Sequence, residues 1–148
     1  MNLFDSLSIS GSALLAERQR SEIIAANMAN AETTHTEAGG PYQRREVVFQ
    51  SRGASSFRLS LASMSNSNGP TPGSVQISEV VDDPTPPVMR YEPGHPDANK
   101  EGYVAYPAIN PVMEMVDLMG SVRAYQLNAS AVAAAKQMIQ QTIDILKS

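Results

Sequence analysis

His35 and His95 are the chain's whole supply of side chains that change charge near neutral pH and ligate metals as imidazole. His95 stands in "YEPGHPDANKEGY" beside Glu92, Asp97 and Glu101, a set that could hold a metal ion and serve a small metal-dependent hydrolase. Pro-Gly is a turn dipeptide, however, and a turn carrying exposed polar residues accounts for the same letters. Asp97, Asn99, Glu101 and Gly102 also fall on positions 1, 3, 5 and 6 of a calcium loop, but position 12, which requires a bidentate Glu, is Ala108. The paired carboxylates Asp82 and Asp83 precede Pro84 and read as a turn. No Gly-x-Ser-x-Gly, phosphate loop or dinucleotide fingerprint occurs, and Cys is absent, which removes thiolate nucleophiles and ligands. The sequence predicts no enzyme, no metal and no cofactor.

Chemistry therefore gives way to architecture. The chain has 148 residues, of which 42% are hydrophobic but only 5% aromatic, with no Trp and eight Met. That apolar content suits helix packing better than a deep pocket. Net charge is −4 and the longest basic run is Arg44-Arg45, so no face is expected to neutralise nucleic-acid phosphates. No stretch approaches the roughly 18 apolar residues of a membrane span. The N-terminus lacks a basic region and an unbroken apolar stretch, so no cleaved secretory signal is expected.

All ten prolines lie between Pro41 and Pro111. Proline breaks helix interiors, so two helix-permissive ends flank a proline-rich middle. The expected fold is mainly α with a small β element, its N- and C-terminal helices paired as a coiled coil around a Pro-rich β/loop middle. Residues 1–31 and 111–148 would make one helical assembly domain and 32–110 a small β/loop domain.

In the C-terminal helix, Pro111 suits the first turn. Alternating steps of three and four residues from there pick out Met115, Leu118, Val122, Tyr125, Ala129, Val132, Lys136, Ile139, Ile143 and Leu146, apolar in all but Lys136. A sustained 3.5-residue period is a coiled-coil seam. At about 1.5 Å per residue the helix would be on the order of 50 Å long, longer than a chain of this size can cover. Part of the seam must find its partner in another molecule. The N-terminal helix is more mixed. Its stripe offers Leu3, Leu7, Leu14, Ile24 and Met28, interrupted by "ERQRSE", so it is expected to need the C-terminal helix or a neighbour. The other Met residues of the C-terminal helix, including Met113, Met119 and Met138, read as packing rather than as a promiscuous groove. The sequon Asn128-Ala129-Ser130 falls inside this helix and reads as chance.

Within the middle, "EVVFQ" (46–50) and "VQISEVV" (75–81) are β-prone runs, expected as a hairpin. Between them, residues 51–74 are rich in Ser, Asn, Gly and Pro and read as a mobile loop. "YVAY" (103–106) is a further expected strand.

The first helix closes on A-N-M-A-N, residues 26–30, before "ETTHTEAGGPY". Asn tolerates the left-handed conformation that ends helices, so Asn30 reads as a C-terminal cap with Asn27 one turn before it. Together with "ISGSALLAERQR" upstream, and Thr33, Thr34 and Gly40-Pro41-Tyr42 downstream, this tract resembles the N-terminal signature of the bacterial flagellar rod, hook and filament-junction proteins. "PYQRREVVFQ", "VVDDPTPPVMRYEPGHPDANKEGYVAYP" and "NPVMEMVDLMGSVRAYQLNASAV" are similar to the proximal rod branch of that family, over nearly the whole chain except 51–74.

The resemblance implies a structural subunit of the basal-body rod, a drive shaft that spans the periplasm. It further implies export without a cleaved signal peptide, as an unfolded chain, through the flagellar type III apparatus. Its partners would be copies of itself and other rod proteins, with no nucleic acid and no direct membrane insertion. The assembly interface would be the seam residues of both helices, and Asn27 and Asn30 the family motif and helix cap. A soluble coiled-coil adaptor or secretion chaperone is the alternative that the helices alone allow.

Overall fold

The computed structural model describes residues 3–52 and 73–147. Helix α1 spans Leu3–Ala29, strands β1 and β2 span Arg45–Arg52 and Ser74–Asp82, strands β3 and β4 span Val88–Tyr91 and Tyr103–Tyr106, and helix α2 spans Pro111–Lys147. The strands make two separate two-stranded sheets, β1 with β2 and β3 with β4. The expected loop at 51–74 lies outside the described residues except at its ends, where Ser51 and Arg52 extend β1, Gly73 turns, and Ser74 opens β2.

Each helix starts or stops for a local reason. Ahead of α2, the side-chain oxygen of Asn110 accepts the Val112 N–H at 3.0 Å, and its carbonyl accepts the Glu114 N–H at 3.1 Å. Asn110 is thus an N-cap, with Pro111 at the first helical position, where its missing N–H costs nothing. Glu114 in the first turn and Lys147 in the last both suit the helix dipole. The helix runs 37 residues, roughly 55 Å. Its interior polar residues fold back on it: Asn128 and Ser130 each donate to the carbonyl four residues earlier, at 2.9 Å.

At the end of α1 the structure corrects the expected cap. No non-Gly residue among those described has a positive φ, so Asn30 does not end the helix in the left-handed region. Its backbone N–H still donates to the Ala26 carbonyl at 3.1 Å, and its side-chain Nδ2 donates to that same oxygen at 2.8 Å. Its Oδ1 accepts from the Thr33 hydroxyl at 3.2 Å. The left-handed positions fall instead on Gly39 and Gly40, where the loop reverses and Tyr42 N–H returns to the Thr33 carbonyl at 3.1 Å. Asn30 is therefore a side-chain cap. Asn30→Ala is expected to cost on the order of 1 kcal/mol through its lost side-chain bonds, and Asn30→Gly at least as much, since glycine's extra freedom brings no gain outside the left-handed region; both are read as losses in thermal midpoint. A Gly variant as stable as the native protein would restore the left-handed account.

The chain divides into two compact units. One takes the described residues of 1–19, 49–78 and 121–148. Inside it the Ser12 hydroxyl joins helix to strand, donating to the Ile9 carbonyl at 2.7 Å and accepting the Val75 N–H at 3.0 Å. Ala16, Ser74, Ser121 and Ala135 are buried there. Among the described residues these buried side chains are all small, a type that permits close approach of the elements that carry them.

The other unit takes residues 20–48 and 79–120. Its buried residues, among those described, are Ile24, Asn27, Val104, Tyr106, Pro107 and Glu114. Strands β3 and β4 pair antiparallel, Val88 opposite Tyr106 and Tyr91 opposite Tyr103. β3 was not expected from the sequence. One face of this hairpin carries the buried Val104 and Tyr106. The guanidinium of Arg90 lies 4.6 Å from the Tyr106 ring centre, and the Tyr106 hydroxyl donates to Glu92 at 2.9 Å. That bond to Glu92 is the main reason the phenol is held above its ordinary pKa. On the other face, Met89, Tyr91 and Tyr103 are exposed.

The turns between β3 and β4 employ the residues that mimicked a metal site. His95 Nδ1 accepts the Asp97 N–H at 3.1 Å, and Asn99 Oδ1 accepts the N–H groups of Glu101 and Tyr103, both at 2.9 Å. Asp97 accepts the Thr34 hydroxyl at 2.7 Å, and Gly102 supplies a φ of 82°. His95 and Asn99 thus close turns, while Asp97 ties the segment to the loop after α1.

Candidate functional site

Two features stand out, a buried polar node and an exposed apolar face. The node begins with Asn27, two residues inside the end of α1 and 1% exposed. Its Nδ2 donates to the Arg45 carbonyl at 2.9 Å and to Glu114 Oε2 at 3.2 Å. Its Oδ1 accepts the Arg45 N–H at 3.0 Å and the Tyr42 hydroxyl at 3.1 Å. A carboxamide has two donor hydrogens and two acceptor sites. All four are used. The partners come from α1's own loop, from β1 and from α2, so one side chain ties three elements together.

Glu114, also 1% exposed, answers from the first turn of α2. Its Oε1 accepts from Arg44 Nε at 2.6 Å while Oε2 takes the Asn27 amide. A carboxylate so deeply buried needs this pairing, because an isolated charge out of water is costly. Arg44 stands among further acids: it bonds Glu46, and its Nη atoms lie 3.9 Å from Asp83 and 3.7 Å from Asp117. Partial burial works against the guanidinium's charge, but the bonds and charges of Glu114 and Glu46 outweigh it and raise its pKa. Asp83 is held below its usual value chiefly by the Thr85 hydroxyl and N–H. Arg45 stacks its charge 5.6 Å from the Tyr42 ring centre and donates to the Tyr42 hydroxyl at 3.0 Å, completing the node.

The second feature lies along α2. Of the seam residues, Met115, Val122, Tyr125, Ile143 and Leu146 are exposed, Leu146 by 82%, while Leu118, Val132 and Ile139 are half-buried. On α1, Leu7, Leu14 and Met28 are half-buried, and Ile24 is buried within its own unit. The stripe that the chain itself covers on α2 runs one residue ahead of half the seam: Glu114, Ser121 and Ala135 are buried and Asn128 half-buried, at intervals of one heptad. Sequence reasoning singled out Asn27 but missed Glu114 and Arg44. The available signals were the two acids, Glu114 and Asp117, among the apolar residues opening α2 and the chain's one Arg-Arg pair.

These two helices, capped and joined in this way, are where known proteins match. Residues 7–34 fit the family model described as flagella basal body rod protein, and residues 100–145 fit that of the flagellar basal body rod FlgEFG protein C-terminal region. The chain is 39% identical to the flagellar basal-body rod protein FlgC of Bacillus subtilis (strain 168), covering 99% of this chain and 100% of that protein. It is 37% identical to that of Buchnera aphidicola subsp. Acyrthosiphon pisum, covering 98% of each. With the FlgC of Escherichia coli O6:H1 it shares 35% identity over 98% of this chain and 96% of the relative. The chain belongs to the FlgC family of flagellar basal-body rod proteins, structural subunits of the rod.

Proposed function

We propose that the chain is built into the proximal rod through its terminal helices. They pair as a coiled coil and lay their remaining apolar surface against copies of the chain and other rod proteins. It reaches that place unfolded, through the flagellar type III export apparatus, and there forms part of the drive shaft that spans the periplasm. It carries no chemistry of its own. The observation that carries this reading is the exposed apolar side of α2. Large apolar side chains left exposed together on a surface mark an interaction site, and burying each would contribute roughly 1.5–3 kcal/mol. A soluble adaptor would be expected to cover that surface in a closed dimer.

Amide exchange distinguishes the two. In dilute full-length protein, residues 20–29 and 111–120 should be protected, because the node holds them. The exposed end of α2 beyond Ala135 should exchange rapidly, a lone helix gaining little from propensity. Its protection should rise continuously with concentration or on adding rod proteins. Protection that saturates at a discrete dimer would favour the adaptor.

A further inference from the structure

We propose that Asn27 and Glu114 are the register key of this protein: their buried hydrogen bond, anchored by Arg44 and the Arg45 backbone, selects the one axial offset at which the end of α1 and the start of α2 meet. Apolar side chains are indifferent to small slips, since one Leu or Met surface resembles the next. A buried polar pair is not, because each lost bond leaves a desolvated donor or acceptor. Single buried polar residues fix register in coiled coils for this reason.

The geometry gives the pair unusual selectivity. Both oxygens of Glu114 face donors, Arg44 Nε on one side and Asn27 Nδ2 on the other. Only a group that accepts on both sides fits. One heptad further along the covered stripe the residue is Ser121, whose single short hydroxyl cannot take both bonds. One heptad earlier lies Pro107, ahead of the helix start at Pro111. A slip in either direction therefore leaves the Asn27 amide and the Arg44 guanidinium without their carboxylate. Asn27 adds a second constraint by holding β1 through both backbone groups of Arg45. The key thus joins helix, strand and helix at one offset. Its consequence for the rod, that Met115 is always presented at the same height along α1, rests on the assembly reading above. The key itself does not.

The chain has no Cys, so Ala25→Cys and Met119→Cys, both exposed positions, take spin labels cleanly in the full-length protein. Dilute protein with the native node should give one narrow interlabel distance. In the same background, Asn27→Leu with Glu114→Leu should retain its helical circular dichroism but split the distribution, or at least double its width, since a heptad slip moves α2 by on the order of 10 Å. An unchanged narrow peak would overturn the proposal. Should that variant lose its helical signal, Glu114→Gln decides. Whichever way its amide turns, it sets an N–H₂ group against a donor, so broadening is expected and an unchanged peak again refutes the key. The distances are measured on monomers, so a failure of the rod to assemble does not alter them.

Discussion

Val122→Asp is expected to abolish incorporation into the rod, and motility with it, while the isolated chain stays folded. Val122 is 44% exposed in the single chain, so an Asp there remains hydrated and costs the monomer little. Once a neighbouring helix covers the position, the carboxylate must lose its water without a partner. The favourable burial of Val, roughly 1.5–3 kcal/mol, disappears as well. A net change of only about 3 kcal/mol weakens a contact more than a hundredfold. Ala135→Asp is the contrasting variant. Ala135 is buried in the covered stripe, so the charge would strike the chain's own packing, and helicity should fall in the isolated protein while export, which takes the unfolded chain, is kept. Swarming assays, basal-body fractionation and circular dichroism separate the two cases. A Val122→Asp strain that swims normally would show that this side of α2 meets no subunit.

Most of the element boundaries were legible because single residue types enforce them. Proline confined to 41–111 left the ends free to be helical, and the helices run Leu3–Ala29 and Pro111–Lys147. β1 and β2 fall where β-prone runs predicted them, extended by a residue or two at each end, and β4 falls on the expected 103–106. β3 was missed because "VMRY" is four residues long, set among prolines, and becomes a strand only by pairing with Tyr103–Tyr106. Local propensity does not carry that information.

Periodicity likewise told which side of α2 is apolar, not which side the chain covers for itself. Small and polar residues at Ser121, Asn128 and Ala135 permit close approach and hydrogen bonding, and a count of apolar letters passes over them. The polar node was hidden for another reason. Asn27 and Glu114 are 87 residues apart, and nothing local marks two polar side chains as partners. What the A-N-M-A-N tract did reveal was a helix end. The structure divides the labour between its two asparagines: Asn30 caps the helix and Asn27 turns inward to hold the node.

That division sets up the second large effect, which is an asymmetry. Arg44→Met should destabilise the protein by about 3–5 kcal/mol, the usual cost of stranding one partner of a buried ion pair. Glu114 would be left 1% exposed with only the Asn27 amide to oppose its charge. Glu114→Leu should cost clearly less. Its removal leaves Arg44 with a side chain 22% exposed, still bonded to Glu46 and near Asp83 and Asp117, while Asn27 keeps the Arg45 carbonyl and loses one bond of four. The double variant, Arg44→Met with Glu114→Leu, should recover most of the Arg44→Met loss, because two apolar chains of similar volume need no compensation. In a chain of this length each kcal/mol moves the thermal midpoint by roughly 2–4 °C, so the three variants are separable by melting, and the double-mutant cycle measures the coupling. Equal losses for the two single variants, with additivity in the double, would mean that Arg44 and Glu114 act through their surroundings rather than on each other. Recovered stability would not restore the register: the double variant should melt near the native protein yet, with spin labels at positions 25 and 119, show the broadened distances of a pair of helices that no longer know where to stop.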